Sequence, residues 1–305
     1  MIVIGECMVE LTRDQDRWRL GYAGDTFNTA LYLTRLGVPT AYLTALGSDP
    51  FSQDMLAQWR TDGLDTSLVL THPARLPGLY AVRNDADGER HFYYWRQHSA
   101  VRELFSLPGI EAALAKARAA PQLYLSGITL SLFDSQGRAQ LNETAAAVRA
   151  AQGEVIFDPN YRAAGWSGVE EARAAIRALA PAVTIAMPTF SDEVALYGDA
   201  SPSHTVVRWR DWGAAQVIVK LGAEGCLISC ALGTRLVPAV SVPTVIDTTA
   251  AGDAFNAGFL AARRAGQDSL HAAAAANRLA SLVIQHRGAI LPRERTEQIR
   301  GVLKT

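Results

Sequence analysis

The feature that most constrains the fold of this chain is the alternation of short β-rich runs with alanine- and leucine-rich helical stretches. Six nearly continuous apolar runs are typical of buried strands: "MIVIG" (1–5), "AYLTALG" (41–47), "QLYLSG" (122–127), "EVIFDPN" (154–160), "VTIAMP" (183–188) and "QVIVKLG" (216–222). Helical patterns lie between or after them, at 26–37, 51–63, 137–153, 169–180, 253–266 and 269–288. This order predicts an α/β fold with a mostly parallel sheet that helices cover on both faces. Ligands of such sheets bind beyond the carboxyl ends of the strands.

One segment departs from this alternation. The stretch "GLYAVRNDADGERHFYYWR" (78–96) contains two alternating runs around "DADGE", and an Asp-Gly pair tolerates the positive φ of a tight turn. The pattern predicts an antiparallel hairpin beside the main sheet, and the strand-like "RWRLGY" (17–22) could pair with it. We therefore expect a small β-sheet lid, formed by about 11–23 and 75–98 and inserted in a single domain that spans 1–305.

Composition excludes several classes of function. A chain of 305 residues with 49% hydrophobic and 19% charged residues has ordinary globular composition. Its net charge of −1 provides no overall field for nucleic acid or an anionic membrane, so an anionic ligand would need local groups. There is no basic leader and no apolar run near the roughly 20 residues of a membrane span, which predicts a cytoplasmic protein. The three cysteines do not have the spacing of a disulfide framework or a zinc site.

The stretch "DTTAAGDAFNAGF" (247–259) stands at the predicted start of a helix. Asp253 could be an ordinary helix cap that accepts orphan amide hydrogens. Alternatively, the small residues Ala250, Ala251 and Gly252 expose backbone N–H groups to an anion, and Asp253 accepts a proton beside them. Spacing alone leaves both interpretations open.

Residues 247–253 resemble the C-terminal signature of the PfkB, or ribokinase-like, carbohydrate kinases, usually Asp-Thr-x-Gly-Ala-Gly-Asp, except that Ala250 replaces a glycine. The stretch "GYAGDTFNTALYLTRLG" (21–37) resembles the N-terminal signature, and the order of elements fits over essentially all 305 residues. The resemblance implies a ribokinase-like fold and an ATP-dependent kinase with Mg²⁺. It also implies that Asp253 is the base and that the amides of 250–253 hold phosphoryl charge.

Other stretches resemble the branch of this family that acts on 2-keto-3-deoxygluconate, including "IGECMVEL" (4–11), "RLPGLYAVRNDADGERHFYYWR" (75–96) and "FDPNYR" (157–162). The implied reaction phosphorylates the terminal hydroxyl and gives 2-keto-3-deoxy-6-phosphogluconate and ADP. The substrate positions that the resemblance implies are Gly24, Tyr80, Tyr94, Arg96, Arg162 and Asp253.

Residue chemistry is consistent with an acidic sugar, because the planar guanidinium of arginine suits a carboxylate. Asp25 and Asn28, in the early Gly-rich loop, are further candidates for binding sugar hydroxyls. The alternatives are simple lid packing for Tyr94 and a solvated hairpin charge for Arg96.

For the nucleotide, "VKLGAEGCLIS" (219–229) resembles the strand, Lys and Gly-x-x-Gly turn of the family. Lys220 and Gly222 would lie along the triphosphate, Gly225 would allow the tight turn, and Asn277 is a weaker candidate for the adenine or ribose. A strand–Gly–strand hairpin without any ligand is the alternative. No P-loop motif is present in the sequence.

The metal ligands stay unassigned. Relatives often carry an Asn-x-x-Glu motif after a strand, whereas "MPTFSDEVAL" (187–196) has Glu193 but Phe190 in place of the Asn. Asp192 and Glu193 could therefore simply begin the next helix.

Other functions stay open at this point. The chain could be a related kinase for fructose, ribose or 2-keto-3-deoxygalactonate, or a non-catalytic sugar sensor on the same fold. The expected partners are an acidic sugar and ATP, with no nucleic acid and no membrane. Exposed aromatic residues such as Phe92 and Trp95 make a homo-oligomer through the lid plausible.

Overall fold

The central element of the computed structural model, which describes residues 1–14, 17–84, 90–301 and 303, is a nine-stranded sheet. With strands numbered in chain order, the sheet runs from edge to edge as β13 (Gly233–Val237), β12 (Cys226–Cys230), β11 (Gln216–Lys220), β10 (Ile185–Ala186), β9 (Glu154–Asp158), β8 (Gln122–Ser126), β1 (Ile2–Ile4), β4 (Ala41–Leu46) and β5 (Val69–Thr71). Pairing is parallel from β5 to β11 and antiparallel from β11 to β13. The predicted, mostly parallel sheet is confirmed.

Helices cover both faces of this sheet. They are α1 (Asp25–Arg35), α2 (Pro50–Thr61), α3 (Ile110–Arg118), α4 (Gly127–Ser131), α5 (Ser135–Ala150), α6 (Val169–Leu179), α7 (Phe190–Tyr197), α8 (Pro202–Asp211), α9 (Ala251–Arg264), α10 (Ser269–Val283) and α11 (Thr296–Gly301). Side chains of β1 alternate between two buried apolar clusters. Val3 belongs to the cluster that contains residues of α1, α9 and α10, and Ile4 belongs to the cluster that contains residues of α3, α5, α6 and α8. This alternation explains why the strands are apolar on both faces.

The six predicted helices are all present. Helices α3, α4, α8 and α11 were not predicted, and α7 was expected only as an alternative, from Asp192 and Glu193. The sequence "PSHTVVRWRD" of α8 contains Ser, His, Thr, Val and Asp residues, which have lower helix propensity than Ala, Leu or Arg. Its start is nevertheless marked, because Ser201 accepts a hydrogen bond from the His204 amide and Pro202 occupies the first turn.

A second, four-stranded sheet lies beside the main one, in the order β3 (Arg17–Ala23), β2 (Met8–Asp14), β6 (Leu79–Asn84) and β7 (Arg90–Trp95). We call it the small sheet. The two strands of the predicted hairpin are confirmed, with Tyr80 opposite Tyr94, and the predicted tight turn at 85–89 lies outside the described residues.

The suggested pairing of 17–22 with this hairpin is wrong, because β2 lies between them, antiparallel to β3 and parallel to β6. Strand β2 was missed because "MVELTRD" combines two buried apolar residues with a polar half.

The register of the small sheet gives it two different faces. Glu10, Tyr80 and Tyr94 are cross-strand neighbours on one face. Val9, Leu79 and Trp95 align on the other face, where Trp95 is 62% exposed. No helix in the described part of the chain has both the length and the apolar character needed to cross a membrane.

Candidate functional site

A cavity of about 610 Å³ lies between the small sheet, the carboxyl ends of β9 and β11, and the first turn of α9. It brings together all the residues predicted for substrate binding and catalysis, together with one predicted nucleotide residue. They are Gly24, Asp25, Asn28, Tyr80, Tyr94, Arg96, Arg162, Lys220, Ala250, Ala251, Gly252 and Asp253. The lining also includes residues that were not predicted to bind sugar or nucleotide, notably Glu6, Asp158, Asn160 and Thr249. These residues come from distant parts of the chain, as expected for an α/β sheet whose ligands bind at its carboxyl edge.

The start of α9 decides between the two interpretations of the C-terminal motif. Ala250 precedes the helix with φ 60° and ψ 11°, in the left-handed region, and no side chain in the described part of the chain caps the first turn. Asp253 is the third residue of the helix, so the interpretation of it as the cap is wrong. The Ala251 amide bonds to the Thr248 carbonyl at 3.2 Å, which leaves the amides of Gly252 and Asp253 available to an anion.

Lys220 lies against this helix start. A Cβ built on Gly252 would lie 3.5 Å from Lys220 Nζ. The ammonium group and the positive end of the α9 dipole therefore face the same part of the cavity, where negative charge is favoured.

Asp253 is a buried carboxyl group at the same position. Its Oδ2 accepts a hydrogen bond from Asn28 Nδ2 at 2.8 Å, and the residue is 9% exposed. Burial and the neighbouring charge of Asp25 raise the pKa of Asp253 to about 8, against the opposing effects of the Asn28 hydrogen bond and the Lys220 charge. A carboxyl group with a pKa near neutrality is suited to accept a proton from a hydroxyl.

Lys220 is held by a buried polar network below the cavity. Its Nζ lies 2.5 Å from Asp158 Oδ2, and the same oxygen accepts a hydrogen bond from Asn256 Nδ2 at 2.7 Å. Asn256 Nδ2 also lies 2.9 Å from the Tyr124 hydroxyl. Asp158 and Asn256 were missed as site residues. The position of Asp158 at the carboxyl end of β9 was the available signal, because polar groups there face the ligand edge of a parallel sheet.

Asp25 is held in a similar way from the other side. Asn160 Nδ2 donates a hydrogen bond of 3.1 Å to Asp25 Oδ2, and burial raises the pKa of Asp25. Asn160 has φ 35°, which asparagine tolerates better than most residues. Its backbone N–H donates a hydrogen bond to Asp158 Oδ1 at 3.1 Å. This turn aligns the end of β9 with the start of α1.

Besides Asp25 and Asn28, three of the predicted sugar-binding side chains already have partners. The Tyr80 hydroxyl donates to the Glu10 carboxylate, and Arg96 forms an ion pair with Glu6. Arg162, 57% exposed, donates from Nη1 to Asp192 Oδ2 at 3.0 Å. Tyr94 is half exposed at the cavity.

The remaining nucleotide candidates do not line this cavity. Gly222 follows β11 with φ 61° and has open space where a side chain would point. Gly225 has φ 101°, and an added Cβ would lie 2.2 Å from the carbonyl oxygen of Val237. Both observations confirm the predicted tight turn at this glycine. Asn277 Nδ2 donates to the carbonyls of Val237 and Pro238, at 3.2 and 2.9 Å, so its amide holds the end of β13.

Glu193 also points away from the cavity. It is fully buried, accepts a hydrogen bond from Arg208 Nη2 at 2.7 Å, and has its pKa raised to about 7 by burial. Asp192 and Glu193 lie in the first turn of α7, as the alternative interpretation expected. Within the described ranges, no group of three or more His, Cys, Asp or Glu side chains is close enough to hold a metal ion.

Comparisons with known proteins agree with this architecture. The pfkB family carbohydrate kinase pattern matches residues 1–296. The 2-dehydro-3-deoxygluconokinase of Escherichia coli (strain K12) is 43% identical over 299 residues, which cover 96% of this chain and 97% of that protein. The protein of the same name from Dickeya dadantii is 41% identical, with 96% of each chain covered.

Among solved structures, the aminoimidazole riboside kinase of Salmonella enterica, complexed with aminoimidazole riboside and an ATP analog, superposes with a TM-score of 0.83. It is 25% identical, and the match covers 99% of this chain and 100% of that chain.

Proposed function

Because the chain belongs to the PfkB family of carbohydrate kinases, we propose that it transfers the γ-phosphoryl group of ATP to the terminal hydroxyl of 2-keto-3-deoxygluconate (2-dehydro-3-deoxygluconate). The products are 2-keto-3-deoxy-6-phosphogluconate and ADP. The identity of 38–43% to four enzymes named 2-dehydro-3-deoxygluconokinase supports this substrate. The observation that carries the reaction type is the position of Asp253, a buried carboxyl group at an uncapped helix start beside Lys220.

In this mechanism Asp253 takes the proton of the attacking hydroxyl, and Asn28 orients its carboxylate. The amides of Gly252 and Asp253 and the Lys220 ammonium stabilise negative charge on the transferred group. Phosphoryl transfer depends mainly on such positioning and charge stabilisation, and the cavity supplies both from groups that are already fixed.

The nucleotide is proposed to lie along the end of β11. Lys220 and the start of α9 meet the terminal phosphates, and Gly222 leaves open space for the chain of phosphates beyond them. Asn277 is not favoured as an adenine ligand, because its amide already bonds to two carbonyl groups.

Magnesium neutralises charge on the nucleotide oxygens when it is bound. The donor set described above fits an ion held through phosphates and water rather than by a cage of protein carboxylates.

The substrate is proposed to bind under the small sheet, which acts as a lid. Gly24 allows the sugar to approach the backbone closely, and Asp25 accepts hydrogen bonds from the sugar hydroxyls. Tyr94 covers the sugar ring. Arg96 and Arg162 bind the carboxylate of the substrate. Tyr80 shapes the wall with its ring, since its hydroxyl is engaged by Glu10. The lid excludes water, which limits hydrolysis of ATP.

A neutral sugar is the second candidate substrate, because the positive charges of the cavity are already balanced by carboxylates. Each of its three cations has a carboxylate partner: Arg96 with Glu6, Arg162 with Asp192, and Lys220 with Asp158. An acidic sugar must therefore compete with, or add to, existing ion pairs.

The deciding experiment is an assay of ADP formation with a panel of sugars at equal concentration. The panel contains 2-keto-3-deoxygluconate, its galactonate epimer, fructose, ribose and aminoimidazole riboside. We expect the two keto acids to have the highest kcat/KM. A neutral sugar with a higher kcat/KM would refute the proposed substrate, and binding of a sugar without ADP formation would support a sensor.

We also propose that the outer face of the lid mediates self-association in a cytoplasmic enzyme. Large apolar side chains, including Trp18, Tyr93 and Trp95, are exposed on the strands of this face. They form an apolar patch rather than the single scattered apolar residues that are normal on a protein surface. Light scattering of the purified protein tests the proposal: Trp95→Lys should reduce the mass of an oligomer, and a wild-type monomer would refute it.

A further inference from the structure

Glu6 is a buried carboxylate at the sugar end of the cavity, and no role has been assigned to it. It follows β1, is 3% exposed, and lies beside Arg96 Nη2 at the end of β7. The contact has the distance of an ion pair but not the angle of a hydrogen bond. In the described part of the chain, neither Glu6 oxygen has a hydrogen-bond donor. Burial of a carboxylate in this state is unfavourable without a compensating charge, and Arg96 supplies that charge.

Gly78 provides the space that this ion pair occupies, and Gly24 allows a close approach of the Glu6 backbone. A Cβ on Gly78 would lie 2.9 Å from Glu6 Oε1 and 3.1 Å from Arg96 Cβ. A Cβ on Gly24 would lie 2.1 Å from the Glu6 carbonyl oxygen. The backbone at Arg96 is also anchored, because Arg102 Nε donates to its carbonyl at 3.1 Å. The pair is therefore confined on several sides.

The orientation of the guanidinium follows from this confinement. Nε and Nη2 of Arg96 are sealed from solvent and have no hydrogen-bond acceptor of good geometry among the described residues, although the side chain as a whole lines the cavity. Nη1 is not among these sealed, unpaired atoms, so it is the nitrogen that we expect to meet a ligand. A carboxylate bound there would meet a cation whose direction is already set, which reduces the entropy lost on binding.

We propose that Glu6 is a positioning residue that holds Arg96 in the orientation needed to bind the carboxylate of the substrate. The proposal rests on the acidic sugar proposed above. Glu6 also repels that carboxylate directly, so its two effects on substrate binding have opposite signs. The sign of the change on neutralising Glu6 therefore reports which effect dominates.

The test is a double-mutant cycle on the full-length enzyme with 2-keto-3-deoxygluconate and ATP. Glu6→Gln keeps the size of the side chain and removes its charge. We expect KM for the sugar to rise about tenfold while kcat changes less than about threefold, because the interaction is made with the bound ground state. In an Arg96→Ala background the same substitution should change KM less than about twofold, because the residue it positions is absent.

A steric variant tests the same idea without removing a charge. Gly78→Ala places a methyl group against the flexible end of Glu6, which must then move. It should raise KM in the same direction as Glu6→Gln. Gly168→Ala is the matched control, because an added Cβ there meets open space. Thermal unfolding of each variant separates an effect on binding from a loss of folded protein.

Several results would overturn the proposal. One is a lower KM in Glu6→Gln, and another is an equal rise with and without Arg96. Where Arg96→Ala does not fold, an unchanged KM in Gly78→Ala would have the same meaning. Failure of the proposed function appears separately, as no turnover of the keto acid by the wild-type enzyme. Failure of the role of Glu6 appears in the variants while wild-type turnover is intact.

Discussion

The side-chain amide of Asn28 donates a hydrogen bond of 2.8 Å to the carboxylate of Asp253, although 225 positions separate the two residues in the chain. Thr29 Oγ1 adds a second contact between the same helices, to the Asp253 carbonyl at 3.3 Å. The N-terminal helix α1 thus orients the carboxyl group that the C-terminal helix α9 carries. The proposed proton acceptor depends on both of the sequence signatures at once.

Replacement of Asp253 by asparagine should abolish turnover and leave sugar binding intact. The amide has nearly the same shape but cannot take a proton, so kcat should fall by about 10²–10⁴-fold. Assays of ADP formation measure the turnover, and calorimetry measures the affinity for the sugar. Asp211→Asn, at an exposed helix end, is the control and should change neither. Unchanged turnover in the Asp253 variant would remove this mechanism.

The pH dependence of activity should follow the ionisation of Asp253. The acceptor must be deprotonated, and burial raises its pKa to about 8, so kcat/KM should fall about tenfold per unit below that pH. The Asn28 hydrogen bond favours the ionised form. Asn28→Ala should therefore move this acid limb of the profile to higher pH. A profile that is flat from pH 6 to 9 would contradict the assignment.

The same ionisation should affect stability. A carboxyl group whose folded pKa is raised contributes stability below its unfolded pKa and loses it as the pH rises through the folded value. Between about pH 4 and pH 8 the wild-type protein should therefore lose about 1.4 kcal/mol per pH unit from this group, and the loss should level off above pH 8. Asp253→Asn should not show this loss, so the variant should gain stability relative to the wild type between pH 6 and pH 9. Urea unfolding at the two pH values measures the difference.

Ala250 offers a test of backbone strain. Its φ of 60° lies in the left-handed region, which disfavours a residue with a Cβ. Ala250→Gly should stabilise the protein by about 1 kcal/mol, since relief of strain outweighs the added freedom of the unfolded chain. Ala151→Gly is the control: Ala151 is exposed with φ −79°, so glycine there should destabilise the protein slightly. Chemical denaturation of both variants checks the opposite signs.

The parts of the fold that could be predicted from the sequence are those whose secondary structure follows from a local pattern of residues. The apolar runs of β1, β4, β8, β9 and β11 are continuous because both faces of the sheet are covered, so their pattern alone predicted a parallel sheet. The turn at the start of α9 was likewise predicted from the small residues Ala250, Ala251 and Gly252, whereas the left-handed conformation of Ala250 was not. Strand β2 and helix α8 were missed because tertiary packing overrides weak local propensity there.

Long-range contacts explain the part of the site that was not predicted. Asp158 and Lys220 are 62 positions apart, and nothing in either local sequence specifies that they pair. Glu6 stands in a stretch whose resemblance to the family was noted, but its contact with Arg96 depends on how the small sheet lies over β1. The engagement of the Tyr80 hydroxyl by Glu10 depends on the register of β2, a strand that was not predicted.

Lys220 should contribute to both stability and catalysis, and the two contributions can be separated. Lys220→Met leaves the Asp158 carboxylate buried without its cation, which should destabilise the protein by about 3 kcal/mol. Adding Asp158→Asn removes the unpaired buried carboxylate, so the double variant should regain much of that stability in a denaturation experiment. Its kcat/KM for ATP should stay low, because the ammonium beside Gly252 is still missing. Lys116→Met, at an exposed position of α3, is the control. If the double variant recovers turnover as well as stability, Lys220 serves only to pair with Asp158, and its proposed contact with the phosphates is wrong.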